Sequence, residues 1–211
     1  AKALAEAGCR DFFVANWAEA LALAPLGLTV SVLHGLRADD VEVARAGFAR
    51  PVLSTPEQIA RWRDSGGGLC DVMVDTGMNR LGVSVEAVTG GLLDGLQIET
   101  LLSHLACADD LDDPFTTQQL ARFTAALQGV PGPRSIANSA GLLGWPQTHA
   151  DWVRPGLALY GASPISGLPA EQLGLKPAMT VESRLIAVRT FEAGETLGYG
   201  RHFTCPERMP V

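Results

Sequence analysis

The sequence predicts an α/β protein built on a parallel barrel, followed by the start of an all-β region. Three observations carry that prediction. Short apolar runs alternate with helix-like segments through the first three quarters of the chain. The apolar runs are almost unbroken, as expected for strands buried on both faces. After Pro164 the helical period stops and period-two alternation with glycine-containing turns takes over. Strands that alternate with helices must pair in parallel, because each crossover needs room for a helix. About seven strand candidates occur, and the first helix has no strand ahead of it. The expectation is therefore an incomplete (β/α)8 barrel of the TIM type, lacking its first strand. It spans residues 1–172, with an all-β domain beginning over residues 173–211.

The elements follow in order. "AKALAEAG" reads as a helix stopped by Gly8. "DFFVAN" is a strand and "WAEALALA" a helix. "LTVSVLHG" is a strand, and "ADDVEVARAG" a helix closed by Gly47. "RPVLST" is a short strand before "PEQIARWRDSG", a helix with Pro56 near its start. "LCDVMVDTG" is a strand and "VEAVTGGLLDG" a weaker helix. "IETLLSHLA" leads to the longest helix, "PFTTQQLARFTAALQG". "RSIANSAG" and "VRPGLALYG" complete the strand set. A doubly wound open sheet is the alternative. It would normally show a glycine-rich phosphate turn after an early strand, and "GGG" at Gly66–Gly68 and "GG" at Gly90–Gly91 have neither required spacing.

Composition removes several classes. Of 211 residues, 47% are hydrophobic, enough for a core. No run approaches the roughly 18 apolar residues of a membrane helix, and no signal-peptide pattern opens the chain. A soluble, cytoplasmic protein is expected, with no membrane partner. The net charge of -7 and the scattered basic residues argue against nucleic acid. Cys9, Cys70, Cys107 and Cys205 are widely spaced without a CxxC pair, so neither a disulfide framework nor a zinc site is expected. Cys9 and Cys70 open apolar segments and read as small core residues.

Active sites of α/β barrels lie at the C-terminal strand ends. Those ends here carry Asn16, His34, Thr55, Asp75–Arg80, His104, Asn138 with Ser139, and Arg154 with Gly156. In "VDTGMNRLGV", Arg80 is either an exposed loop arginine or a forked donor aimed at an anion. His104 in "LLSHLACADD" is either a satisfied structural histidine or a site residue. The acidic run after it reads as a solvated loop rather than a metal site. In "SIANSAG", Ser139 is either a helix N-cap or, with the small residues after it, an opening for phosphate. Ser139 and Gly156 fall on the last two strands, where α/β barrels often hold phosphate. A glycine there lets backbone approach such a group. Arg154 stands in an apolar run and needs a partner. Tyr199, between two glycines in "LGYGRHF", is either a surface turn residue or an accessible acid–base group.

Six blocks in this order resemble the pyridoxal-phosphate-dependent alanine racemases: "VDTGMNRLGV", "LLSHLACADD", "ANSAG", "VRPGLALYG", "LKPAMTVESRL" and "LGYGRHF". The resemblance runs along essentially the whole chain. It implies a dimeric enzyme, an α/β barrel followed by a β domain, with pyridoxal 5'-phosphate as cofactor and alanine as substrate. By resemblance, Arg154 faces the pyridine nitrogen and His104 hydrogen-bonds to Arg154. Asn138, Ser139, Gly156 and Leu157 surround the cofactor, the last three near its phosphate. Arg80 lies near the phenolic oxygen and the substrate carboxylate. Tyr199 handles the α-proton on one face, reaching across from the partner subunit, while a Schiff-base lysine serves the other. That lysine belongs to the first barrel strand, just ahead of this chain. Lys2 and Lys176 are the only lysines present and neither matches it. Met73 replaces a lysine that many relatives carbamylate to support the arginine at position 80. The expectation is a fragment that is inactive alone and prone to aggregate.

Three other readings compete. A non-catalytic pyridoxal-phosphate-binding barrel needs no β domain. A related decarboxylase on the same barrel plan would carry a glycine-rich phosphate loop. An inert interaction module would bind no cofactor.

Overall fold

The computed structural model describes residues 1–211. The chain divides into two compact units, Ala1–Ala178 and Met179–Val211.

The first unit is a curled parallel sheet with helices on its outer face. Helix α1 (Lys2–Glu6) precedes strand β1 (Asp11–Val14). Then come α2 (Trp17–Leu23), β2 (Thr29–Val32), α3 (Val41–Arg45), β3 (Arg50–Leu53), α4 (Pro56–Asp64) and β4 (Leu69–Asp75). These are followed by β5 (Val83–Ser84), α5 (Val85–Thr89), β6 (Gln97–Leu102), α6 (Phe115–Ala126), β7 (Arg134–Ser135) and α7 (Ser139–Gly144). The sheet order is β1-β2-β3-β4-β6-β7, with β5 paired beside β4, and every pair is parallel. This is the sheet of an incomplete (β/α)8 barrel. The helix starts follow local capping chemistry. Asn16 accepts from the Glu19 amide, Thr55 from Gln58, Ser84 from Ala87 and Asn138 from Gly141. Glu19 also accepts from the Ala15 amide, so the turn into α2 is closed from both sides.

Strand alternation sorts the core into two faces. Val30, Val32, Leu53, Cys70, Val72, Val74, Leu101 and Ile136 pack outward against Trp17, Ile59, Trp62 and Phe123 from the helical layer. The concave face is built in layers. Asp11, Ser31, Arg50, Asp71 and Thr100 alternate with Phe13, Leu33, Val52, Met73 and Leu102. The latter five form a separate apolar cluster. Met73 is thus a core residue of the concave face.

Three sequence expectations are corrected. "VRPGLALYG" does not form a strand. It approaches the sheet through a bridge from Trp152 to Ser135 and a hydrogen bond from the Arg154 amide to the Ala137 carbonyl, and Leu157–Tyr160 form a 3-10 turn. Pro155 offers no N–H to a ladder, and the Ser139 hydroxyl takes up the Gly156 and Ala158 amides instead. Cys9 is exposed rather than buried, because α1 contributes no buried residue for it to pack against; Cys70 is buried as expected. The β-like alternation of "AMTVESRLIAV" yields no strand.

The second unit contains two antiparallel pairs, β8 (Thr190–Phe191) with β11 (Met209–Pro210), and β9 (Thr196–Leu197) with β10 (Phe203–Thr204). Val181, Leu185 and Ile186 are almost fully exposed. Two-stranded pairs of this length bury too little to organise the alternating segment ahead of them.

One glycine has a clear steric role. Gly82 has φ +126°, and a Cβ there would lie 2.5 Å from the Asp75 amide nitrogen. Both the positive φ and the backbone contact oppose a side chain. Gly82→Ala is expected to lower stability by roughly 1–2 kcal/mol, read from the urea midpoint.

Candidate active site at the C-terminal strand ends

The turn after β4 is set by Asp75. Its Oδ1 accepts from the Gly77 amide at 2.8 Å and the Asn79 amide at 3.1 Å. Asn79 takes φ +55°, a conformation asparagine tolerates. Arg80 follows, exposed, with no hydrogen bond or ion pair. Its fork is therefore available to an anion.

His104 lies just past β6 and is partly buried. Burial pushes its pKa down to about 4, and the nearby Arg154 and Arg80 charges push in the same direction. The imidazole is neutral at pH 7. The hydrogen bond between His104 and Arg154 that the resemblance implies is not formed. Arg154 spends its donors elsewhere: Nη1 on the Ser135 hydroxyl and Nη2 on the Ser103 carbonyl. Its guanidinium also lies 5.8 Å from the Phe13 ring centroid, within cation–π range. Burial pulls the Arg154 pKa down to about 10, opposed by the charge of Asp71. Arg154 remains a cation at neutral pH, held by neutral acceptors rather than a bonded carboxylate.

The cap of α7 is Asn138, not Ser139. Asn138 Oδ1 accepts from Gly141 at 2.9 Å, and its Nδ2 donates to the Leu105 carbonyl at 3.4 Å. That frees the buried Ser139 hydroxyl, which accepts from the Gly156 amide at 2.9 Å and the Ala158 amide at 3.1 Å. Two backbone N–H groups and one hydroxyl thus converge on one point. Both N–H groups are spent on the hydroxyl oxygen, so an anion gains them only by displacing it, while the Ser139 O–H remains available to donate. A Cβ on Gly156 would touch no protein atom within 4 Å, and its φ is -114°. The protein's own packing does not demand glycine there, so the glycine leaves open space beside its own Cα. Leu157 beside it is exposed.

The structure therefore brings Ser139 and Gly156 into direct contact, with Leu157 next to them. Arg80 and Arg154 each lie within electrostatic reach of His104. Tyr199 belongs to the second unit. It is fully exposed, between Gly198 at φ +70° and Gly200 at φ +69°. Sequence reasoning missed Ser103 and Ser135, the acceptors of Arg154. Alternation places Ser135 opposite the outward-packed Ile136, and that was the available signal. It also missed the Ala158 amide, which only a turn at 156–160 could bring to Ser139.

The fold and the site together define an α/β-barrel protein with its candidate polar residues at the C-terminal strand ends of its sheet. Residues 1–164 match the family model described as alanine racemase, N-terminal domain. The chain belongs to that family. It is 53% identical over 144 residues to an alanine racemase of Halorhodospira halophila, covering 65% of this chain and 40% of the relative. It is 42% identical over 223 aligned positions to an alanine racemase of Azoarcus sp., covering 99% of this chain and 62% of the relative. Among solved structures it resembles the biosynthetic alanine racemase of Pseudomonas aeruginosa, with TM-score 0.86, 33% identity, and coverage of 96% and 60% of the two chains. It also resembles the alanine racemase of Bartonella henselae with covalently bound pyridoxal phosphate, with TM-score 0.84, 30% identity, and coverage of 99% and 61%. The chain spans less than two thirds of the length of these relatives. No helix is long and apolar enough to cross a membrane.

Proposed function

We propose that this chain supplies the cofactor-binding barrel of a pyridoxal-phosphate-dependent alanine racemase, cytoplasmic and dimeric, that interconverts L- and D-alanine. The observation that carries the reading is the convergence of the Ser139 hydroxyl with the Gly156 and Ala158 amides, beside open space at Gly156. A phosphate ester that displaced the Ser139 oxygen would take both amides, and the freed hydroxyl would donate to it as well. Ser139, Gly156 and Leu157 would hold the phosphate, and Asn138 would flank it. Arg154 would face the pyridine nitrogen, and Arg80 the phenolic oxygen and the substrate carboxylate.

When bound, the cofactor supplies carbanion stabilisation at the substrate α-carbon. The chain's residues do the rest. Arg154 keeps its protons at any working pH, so it donates a hydrogen bond to the ring nitrogen without protonating it. By withholding a proton from that nitrogen, Arg154 would favour return of the α-proton over side reactions. His104 stays neutral and adds no third positive charge between Arg80 and Arg154. Arg80 orients the carboxylate by bidentate donation. Tyr199, exposed through its flanking glycines, would reach across from the partner subunit and take and return the α-proton at its phenolic oxygen on one face. The opposite face needs a lysine. Lys2 lies in α1 and Lys176 outside any helix or strand, so neither stands at a strand end. This chain alone is proposed to be inactive.

The test is a titration of the chain with pyridoxal phosphate and, separately, with pyridoxal, followed by tryptophan fluorescence. The phosphorylated form is expected to bind at least about tenfold more tightly. Ser139→Ala is expected to weaken it by a similar factor and to leave pyridoxal unaffected. Equal binding of the two compounds, or no binding of either, would overturn the reading. The second outcome would favour an interaction module.

A further inference from the structure

We propose that Gln119, on the outer helix α6, is a positioning residue that ties the ends of β4 and β6 together. Through them it fixes Arg80, His104 and Arg154. The residue is fully buried, which is unusual for glutamine. All its polar atoms are used at strand ends. Nε2 donates to Thr76 Oγ1 at 3.2 Å and to the His104 carbonyl at 3.0 Å, while Oε1 accepts from the Ala106 amide at 2.9 Å. One side chain thus grips the turn that leads to Arg80 and the backbone on both sides of Leu105.

The grip continues inward. Thr76 Oγ1 and Ser103 Oγ share a hydrogen bond of 2.8 Å, and the Ser103 carbonyl receives Arg154 Nη2. A connected set of hydrogen bonds therefore runs from Gln119 through Thr76 and Ser103 to the Arg154 guanidinium. Helix α6 holds the same turn at two more points. Arg122 Nη1 donates to the Thr76 carbonyl at 3.0 Å. A Cβ on Gly77 would lie 2.6 Å from the Phe115 ring, so α6 presses directly on the turn. A fully satisfied buried polar network of this kind fixes geometry, because each broken bond leaves an unpaired group in a dry setting.

The inference rests on the proposed function only in treating Arg80, His104 and Arg154 as site residues. Its test separates the two. Hydrogen exchange of the full chain is compared for Gln119→Met, Thr76→Val and Thr76→Ser. Gln119→Met keeps the volume and removes every hydrogen bond. Thr76→Val keeps the shape and removes the shared hydroxyl. Thr76→Ser keeps the hydroxyl and removes a methyl. Gln119→Met and Thr76→Val are each expected to speed exchange at least tenfold over residues 75–80 and 103–107, with β1–β3 unchanged. Thr76→Ser is expected to retain protection. A packing role predicts the opposite ranking, so protection kept in Gln119→Met or lost in Thr76→Ser would overturn the proposal. A uniform rise across the chain would do the same. Should Gln119→Met fail to fold, the Thr76 pair decides. A pyridoxal phosphate titration adds the functional arm, with about tenfold weaker binding expected for Gln119→Met. Unaltered affinity would refute a positioning role. If the unsubstituted chain binds no pyridoxal phosphate, the proposed function falls and the exchange data alone judge Gln119.

Discussion

Replacing Arg50 with methionine is expected to remove about 3–5 kcal/mol of folding free energy at pH 7. Arg50 projects from β3 into the lower layer of the concave face. Its Nη2 donates to the Ser31 hydroxyl at 3.2 Å. Three carboxylates surround it without hydrogen-bonding to it: Asp71 at 3.6 Å, Glu99 at 3.7 Å and Asp11 at 3.8 Å. Asp71 is fully buried, and neither of its oxygens has a hydrogen-bond partner. Burial raises the Asp71 pKa, and the Arg50 charge is the first influence that lowers it again. Arg50→Met removes that charge and strands the carboxylate.

The pH dependence checks the cause. The folded-state pKa of Asp71 is raised, and losing Arg50 raises it further. The native variant then binds a proton that the unfolded chain has already released. The penalty grows as the pH rises through the variant's raised pKa and fades as the pH falls below it. The double variant Arg50→Met/Asp71→Leu is expected to recover most of the loss, because packed apolar groups replace a buried pair at little cost. Urea unfolding at pH 7 and pH 5 measures all three proteins. A loss below about 1 kcal/mol in the single variant, or no recovery in the double, would show that the concave face is wet enough to screen the pair.

This cluster marks where the sequence could be read and where it could not. The strands themselves were legible, since near-continuous apolar runs such as those around Val30, Val32, Val72 and Val74 mark a covered parallel sheet. The parallel order followed from the helices between the strands. The capping residues were less legible: Asn16, Thr55 and Asn138 stood out only as strand-end residues, the start of α7 pointed to Ser139 as its cap, and Ser84 carried no signal. The concave layer was less legible, because a charged residue within a strand does not announce whether its partner lies two strands away. Arg50 and Asp71 were read as parts of ordinary strands, yet they meet only when β3 and β4 pair.

The last strand was misread for a related reason. Apolar content in "VRPGLALYG" imitates a buried strand, whereas Leu157, Leu159 and Tyr160 are exposed in a turn that Pro155 and Gly156 begin. At the site, residue types at strand ends were legible, but hydrogen-bond partners were not. Arg154 finds neutral acceptors on Ser103 and Ser135, residues separated from it by 51 and 19 positions. Gln119 reaches Thr76 across 43 positions. Such contacts depend on sheet curvature, which no local pattern encodes.

Acidification from pH 7 to pH 5 is expected to cost the first unit about 1–2 kcal/mol through His104 alone. Its pKa is held near 4 in the folded chain, first by burial and then by Arg154 and Arg80. In the unfolded chain it returns to about 6.5. The unfolded state therefore takes up the proton first. The stability tied to the neutral ring is complete above pH 7, falls as the pH drops through 6.5, and is exhausted near 4. A shift of this size would be worth roughly 3 kcal/mol across its full range, and partial exposure of the ring reduces it. His104→Gln cannot titrate and is expected to flatten the slope between pH 7 and 5, where most carboxylates remain ionised. Chemical denaturation of both proteins at half-unit pH steps gives the comparison. Equal slopes would mean that His104 carries its proton in the folded chain. A third cation would then stand beside Arg80 and Arg154, and the charge balance proposed for the site would be wrong.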